Sequence, residues 1–244
     1  MLVGLAEPPF DRAARNGTST PPLSFSPKPI MNLSLSLRLL SNAFGRGVFP
    51  HQMSWFLELP GRGLMMSAKT VAARLPLKPD AHVLEVGPGS GYYSVEVAKR
   101  VPHGSLTLLD LQPEMLAMAA LKLQRAGIGN FTTHTTNANR LPFEDASFDV
   151  IFMVTVLGEI ADQDAFLSEA FRVLKRGGVL SITEHHPDPD FEPEPVVRQR
   201  LKQHGFTPDD AGKGWRWAYT LNASRHSEST GAVADSPDTN ATAR

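Results

Sequence analysis

Beyond Pro79, short apolar runs alternate with stretches of helical period. His82–Val86 (HVLEV) predicts a strand, and a glycine-rich turn follows it. Tyr92–Val101 predicts a helix, and Leu106–Asp110 (LTLLD) a second strand. Glu114–Ala126 is expected to be helical with Gly127 as its stop, and Phe131–His134 extended. Phe148–Val154 (FDVIFMV) is apolar along almost its whole length, as a strand covered on both faces requires. Asp164–Leu174 carries Leu167, Ala170, Phe171 and Leu174 at i, i+3, i+4 and i+7, a core-facing helical stripe. Arg176-Gly177-Gly178 predicts a turn into a fifth strand, Val179–Thr183; Val196–His204 predicts a helix and Trp215–Asn222 a closing strand. Strands and helices alternating at this spacing make a doubly wound α/β domain with a mostly parallel sheet, here expected over residues 80–222.

Upstream the pattern is weaker. Residues 1–29 hold Pro8, Pro9, Pro21, Pro22, Pro27 and Pro29 among small polar residues, and they are expected to be disordered. MNLSLSLRLL, from Met31, alternates like a strand but is built from helix-favouring leucines, so both readings stand. His51–Leu59 and Ser67–Leu75 predict two short helices parted by Pro60-Gly61, with Ser67 as an N-cap, making 30–79 a helical cap and lead-in. Residues 223–244 read as a disordered tail.

Charge and composition narrow the function. Lys and Arg number 24 against 25 Asp and Glu, for a net charge of −1. With no basic block, nucleic acid is not the expected partner. No apolar run approaches the ~20 residues of a membrane span, and the first residues do not read as a secretory leader. The chain has no cysteine, which excludes thiolate nucleophiles, Cys-ligated zinc and iron–sulfur clusters. The default compartment is the cytoplasm.

Chemistry concentrates at the carboxyl ends of the predicted strands, where open parallel sheets bind ligands. The first strand runs out through Glu85-Val86-Gly87-Pro88-Gly89-Ser90-Gly91. Tyr92 stands where a dinucleotide fingerprint has its third glycine, and Pro88 removes an N–H that a pyrophosphate would use. Glu85 would repel phosphate but anchor a cationic amino group, and Asp110, ending the second strand, is placed to accept ribose hydroxyls. A ligand with ribose and positive charge but no pyrophosphate fits S-adenosylmethionine, and fits a pyridine nucleotide poorly.

The segments VLEVGPGSGYYS, LLDLQPEML, NRLPFEDASFDVIF and EAFRVLKRGGVLSITE, in that order, resemble class I S-adenosylmethionine-dependent methyltransferases, most closely the small-molecule branch that includes the ubiquinone/menaquinone-biosynthesis C-methyltransferases. The resemblance implies a seven-stranded Rossmann-like sheet and methyl transfer to a small-molecule acceptor by direct displacement. It implies that Glu85, Gly87 and Gly89, with Gly91 completing the turn, border the methionine part of the cofactor. Asp110 would take the ribose and Leu111 would pack on the adenine. Asn137, where the family often has Asp, would accept from the adenine amino group.

The catalytic candidates are Glu159 after the fourth strand, and His185 and His186 after the fifth. Helix-entry electrostatics and a solvated polar loop are the competing readings of these positions. No metal motif is present in their spacing. His51, Trp55 and Tyr93 are candidate acceptor-facing residues, with ordinary packing as the alternative. A cofactor-binding regulatory or assembly subunit without turnover is the rival function, and an NAD(P)-dependent oxidoreductase is the rival on the same fold.

Overall fold

The computed structural model describes residues 66–186, 188–210 and 217–226. The expectations for residues 1–29, for the Met31 segment, for the His51–Leu59 helix with His51 and Trp55, and for Trp215 lie outside them.

Seven strands form one sheet: β1 (His82–Val86), β2 (Ser105–Asp110), β3 (Phe131–Thr135), β4 (Phe148–Val154), β5 (Leu174–His185), β6 (Phe206–Pro208) and β7 (Ala218–Arg225). Their spatial order is β3-β2-β1-β4-β5-β7-β6. β1 to β5 pair in parallel, and β7 runs antiparallel to both β5 and β6. The order reverses at β1, which lies between β2 and β4. That switch point opens a crevice at the carboxyl ends of β1 and β4.

Helices cover both faces, which is why the central strands are apolar throughout. On one face lie α1 (Ala68–Arg74), α2 (Ser94–Ala98) and α3 (Pro113–Arg125), whose Val71, Val97, Leu116, Ala119 and Leu123 pack on Val83, Leu106, Leu108, Val150 and Phe152. On the other lie α4 (Gln163–Val173) and α5 (Glu194–Gln203), whose Phe166, Leu167, Ala170, Val197 and Leu201 pack on Leu84, Val86, Ile151, Met153, Leu180 and Ile182. Ser67 does sit at the N-cap of α1, but its side chain makes no capping bond. α4 is capped by Asp162, whose carboxylate accepts from the Ala165 N–H at 2.9 Å.

Four elements differ from expectation. β5 begins at Leu174, directly after α4, instead of at Val179. Arg176-Gly177-Gly178 is an irregularity inside that strand, where the pairing with β4 shifts register. β7 runs to Arg225, so the domain extends past Asn222 into the expected tail. Inward-facing Leu221 and Ala223 carry it, and the polar Thr220, Asn222 and Ser224 that alternate with them disguise the pattern. β6 was not expected at all; three residues are too few for a period to show. The helix after the glycine turn is shorter than expected, Ser94–Ala98.

The connection from β3 to β4 has no regular structure of its own and is fastened to α4, where Glu169 accepts from the Leu141 N–H at 2.9 Å and Arg172 makes the most side-chain bonds to it. Arg172 of α4 donates to the Leu141 and Phe143 carbonyls at 3.0 and 2.8 Å, to both Glu169 oxygens at 2.8 and 2.7 Å, and to Asp145 at 2.8 Å. Arg172→Ala leaves these acceptors short of a donor, and we expect a loss of about 1–3 kcal/mol, read as a lower urea midpoint with an unchanged slope.

Candidate active site

The site grows from the exit of β1. Gly87 takes φ +66°, and its N–H bonds the Leu109 carbonyl at 2.8 Å, so the turn stays fastened to β2. A Cβ at Gly87 would lie 2.5 Å from Val156 Cγ2, so the exits of β1 and β4 meet with no room for a side chain. Gly89 and Gly91 also adopt positive φ. Gly91 faces the Ala119 backbone of α3, which gives it a packing duty between helix and turn.

Glu85 lies beneath this turn. Its side chain shares a face with Val83, and the residue is 2% exposed. Burial pushes its carboxyl up to about 8, the neighbouring Ser94 hydroxyl works the other way, and the negative Asp110 adds to the rise. Oε2 has no hydrogen-bond partner among the described residues. A buried acceptor left in that state is destabilising.

Asp110 ends β2 on the same face as Leu106 and Leu108. Its carboxylate accepts from the Gln112 N–H at 2.9 Å and from the N–H groups of Gly89 and Leu111. Burial nonetheless raises its pKa. A carboxylate has about four acceptor positions, so capacity for a hydroxyl remains. The Thr136 N–H donates to the Asp110 carbonyl at 3.1 Å, which brings the exit of β3 alongside that of β2. Asn137 is exposed at that exit, and Leu111 is 51% exposed beside it. Glu85, the glycine turn, Asp110, Leu111 and Asn137 thus come together along one sheet edge.

The other candidates divide. Tyr93 is 4% exposed and packs in the core with Val97 and Leu116, edge-on to Tyr92 at 5.0 Å; its place is the core, not an open wall. Glu159 ends a 3₁₀ turn, Leu157–Glu159, at the exit of β4. His185 is the last residue of β5, with Nδ1 3.2 Å from the His186 carbonyl. His186 is exposed and its ring stacks on Phe191 at 3.8 Å between centroids. Glu159 and the two histidines therefore occupy the exits of β4 and β5, next along the sheet from the exits that carry Glu85 and Asp110.

Two features went unread in the sequence. Thr155, the first residue past β4, has φ +55°, a conformation that a β-branched residue rarely takes. Its N–H bonds the Thr183 carbonyl at 2.8 Å and its Oγ1 bonds the Val154 carbonyl at 2.7 Å. Such strain persists only where surrounding structure imposes it, and it clusters at functional sites. Glu184 is the second: it is 1% exposed, not part of a solvated loop. Its place two residues after Ile182 and four after Leu180 was the available clue.

The comparisons with known proteins now bear on this edge. Residues 84–182 match the family described as a methyltransferase domain, type 11. The chain resembles this family over less than half of its length. Its sequence is 40% identical over 119 residues to the ubiquinone/menaquinone biosynthesis C-methyltransferase UbiE of Rhizobium leguminosarum bv. trifolii, covering 47% of this chain and 45% of that protein. It is 41% identical over 106 residues to the demethylmenaquinone methyltransferase of Tropheryma whipplei, covering 43% and 42%. The match spans about half the length of these curated relatives. Among solved structures, a SAM-dependent methyltransferase from Aquifex aeolicus superposes with TM-score 0.68 at 26% identity, covering 72% of this chain and 98% of that one. Among the described residues no helix is long and apolar enough to cross a membrane.

The buried carboxyls set a pH dependence. Glu85 and Glu184, each raised to about 8, bind protons more tightly folded than unfolded. Their stabilising contribution is therefore complete below about pH 4.5 and is lost as pH rises through 8. Glu96, Asp149 and Glu169 are lowered and act oppositely, losing their contribution in acid. Thermal stability of the ligand-free protein should peak near pH 5 and decline towards pH 8. Glu85→Gln should flatten the decline, and an unchanged slope in that variant would refute the assignment.

Proposed function

We propose that this chain binds S-adenosylmethionine along the β1–β2–β3 edge and transfers its methyl group to a small-molecule acceptor by direct displacement. One observation carries the reading: the buried Glu85 carboxyl with Oε2 unpartnered, set under a turn that leaves no space for a side chain. An ammonium group is the partner such an oxygen lacks, and a pyridine nucleotide brings phosphates there instead. The likeness to the quinone-biosynthesis C-methyltransferases supports methyl transfer as the reaction class.

When bound, S-adenosylmethionine supplies a methyl group activated on a sulfonium. Glu85 would hold the amino group, becoming ionised as it does so. Asp110, fixed by its three backbone donors, would orient the ribose. Leu111 offers an apolar surface to the adenine and Asn137 a hydrogen-bond acceptor at its rim. Displacement asks little more of the protein than alignment of the acceptor at about 3–3.5 Å, with water kept out. Glu159, His185 and His186 stand at the exits of β4 and β5, where an acceptor would be met, and are the groups we propose to move a proton there.

Calorimetry with S-adenosylmethionine, S-adenosylhomocysteine, NAD and NADP tests the cofactor directly. The first two should bind and the nucleotides should show no comparable affinity; tight NAD binding with silent S-adenosylhomocysteine would overturn the reading. Glu85, raised to about 8, is mostly protonated at pH 7. Binding of a cationic amino group should then release about one proton from it. Titrations in buffers of differing ionisation enthalpy should show that release in the parent and not in Glu85→Gln. Equal proton release by both proteins would remove Glu85 from the amino-group site.

A further inference from the structure

The turn at the exit of β4 and the loop after β5 are in direct contact. A Cβ on Gly158 would fall on the Asp190 carbonyl, so the two backbones touch there. Gln163 Nε2, in the first turn of α4, donates to the Leu157 carbonyl at 2.9 Å and to Glu192 Oε1 at 3.3 Å. The Tyr219 hydroxyl of β7 donates to the Glu192 carbonyl at 2.7 Å. Under both segments lies Glu184. Its side chain continues the inward row of Leu180 and Ile182, accepts from the Leu157 N–H and leaves Oε1 without a partner among the described residues.

We propose that Glu184 is a positioning residue for the acceptor side of the site: by accepting from Leu157 beneath the loop that carries Asp188 to Glu192, its carboxyl fixes the wall against which the acceptor is held. The proposal rests on the function inferred above, which places the acceptor at the exits of β4 and β5. The strained Thr155 opens this same turn, so the wall is held in shape from both of its ends.

The groups around Glu184 decide when that wall is firm. Asp188 and Glu192 face it from the following loop, with His185 beside Asp188; Glu159 faces it from the β4 exit and the Tyr219 phenol from β7. Arg200 of α5 is turned to Gln163 and to Glu192, at 3.9 Å from the latter, and Glu194 of α5 lies near Tyr219. Among the described residues no three such groups converge closely enough to hold a metal ion. Burial first, and then the Asp188 charge, hold the Glu184 carboxyl up at about 8, so it is a neutral acid at pH 7. Ionisation would bury a negative charge beside Asp188, Glu192 and Glu159 with no cation paired to Glu184 itself among the described residues, and the contact between turn and loop would then loosen.

Hydrogen exchange of the full chain, saturated with S-adenosylhomocysteine, tests this between pH 6 and pH 9. After correction for the intrinsic rate, the amides of 156–160 and 188–192 in the parent should exchange about tenfold faster at pH 9 than at pH 7. In Glu184→Gln, which keeps the shape and stays neutral, the change should stay within about twofold. Asp188→Asn leaves Glu184 in place and removes its largest repelling charge, so the midpoint of the parent's transition should move to lower pH. A purely structural Glu184 would leave that midpoint where it was. The proposal falls if Glu184→Gln keeps the parent's pH dependence, or if Asp188→Asn does not move the midpoint. If the parent fails to bind S-adenosylhomocysteine, the cofactor reading fails instead, and the two outcomes are separate.

Discussion

Burying the Glu85 carboxyl at the end of β1 with one oxygen unpartnered leaves a destabilising group at the centre of the sheet, and the surrounding structure is arranged to keep it there. The parallel pairing of β1 with β2 and β4 seals it from both sides. Gly87, pressed against Val156, closes the exit above it. A single unsatisfied buried acceptor costs about 1–3 kcal/mol, which a fully apolar two-faced core can sustain. The consequence is a site with an unpartnered oxygen waiting under the turn. A cationic group placed there would draw the proton off Glu85 and pair with the carboxylate left behind, whereas a pyrophosphate would be repelled by it.

The topology explains why the two halves of the site differ. On the β1–β2–β3 side, backbone donors from the glycine turn and from Leu111 and Gln112 fasten Asp110 rigidly. On the β4–β5 side the walls are made by a 3₁₀ turn and a polar loop, locked together by side chains of α4, β5 and β7. A rigid edge suits a constant cofactor. The assembled wall, with its strained Thr155 and its buried Glu184, is the part a particular acceptor would shape.

Much of this was legible in the sequence, because β1, β2 and β4 are buried almost throughout and so announce themselves as nearly continuous apolar runs. HVLEV and FDVIFMV coincide with β1 and β4 residue for residue. The acids at strand ends stand out against those runs, which is how Glu85 and Asp110 came to be singled out. The remainder depends on tertiary contacts that no local pattern encodes. The end of β7 past Asn222 is recognisable only once β5 and β6 flank it, and the Thr155 N–H that bonds the Thr183 carbonyl belongs to a residue whose positive φ no local pattern announces. Glu184 drew no reading of its own because the chain after it is polar, whereas its side chain follows the strand's inward row. Tyr93 misled in the opposite direction: an aromatic beside a glycine turn suits a pocket and a core equally well, and packing against Val97 and Leu116 decided for the core.

The claim on which the rest hangs is that Glu85 receives the amino group of the methyl donor. A crystal structure of the chain with S-adenosylhomocysteine measures this directly. The amino nitrogen should lie about 2.7–3.2 Å from a Glu85 carboxylate oxygen, with the ribose on Asp110. A ligand whose amino group binds elsewhere, while Glu85 keeps its buried, unpartnered oxygen, would contradict it.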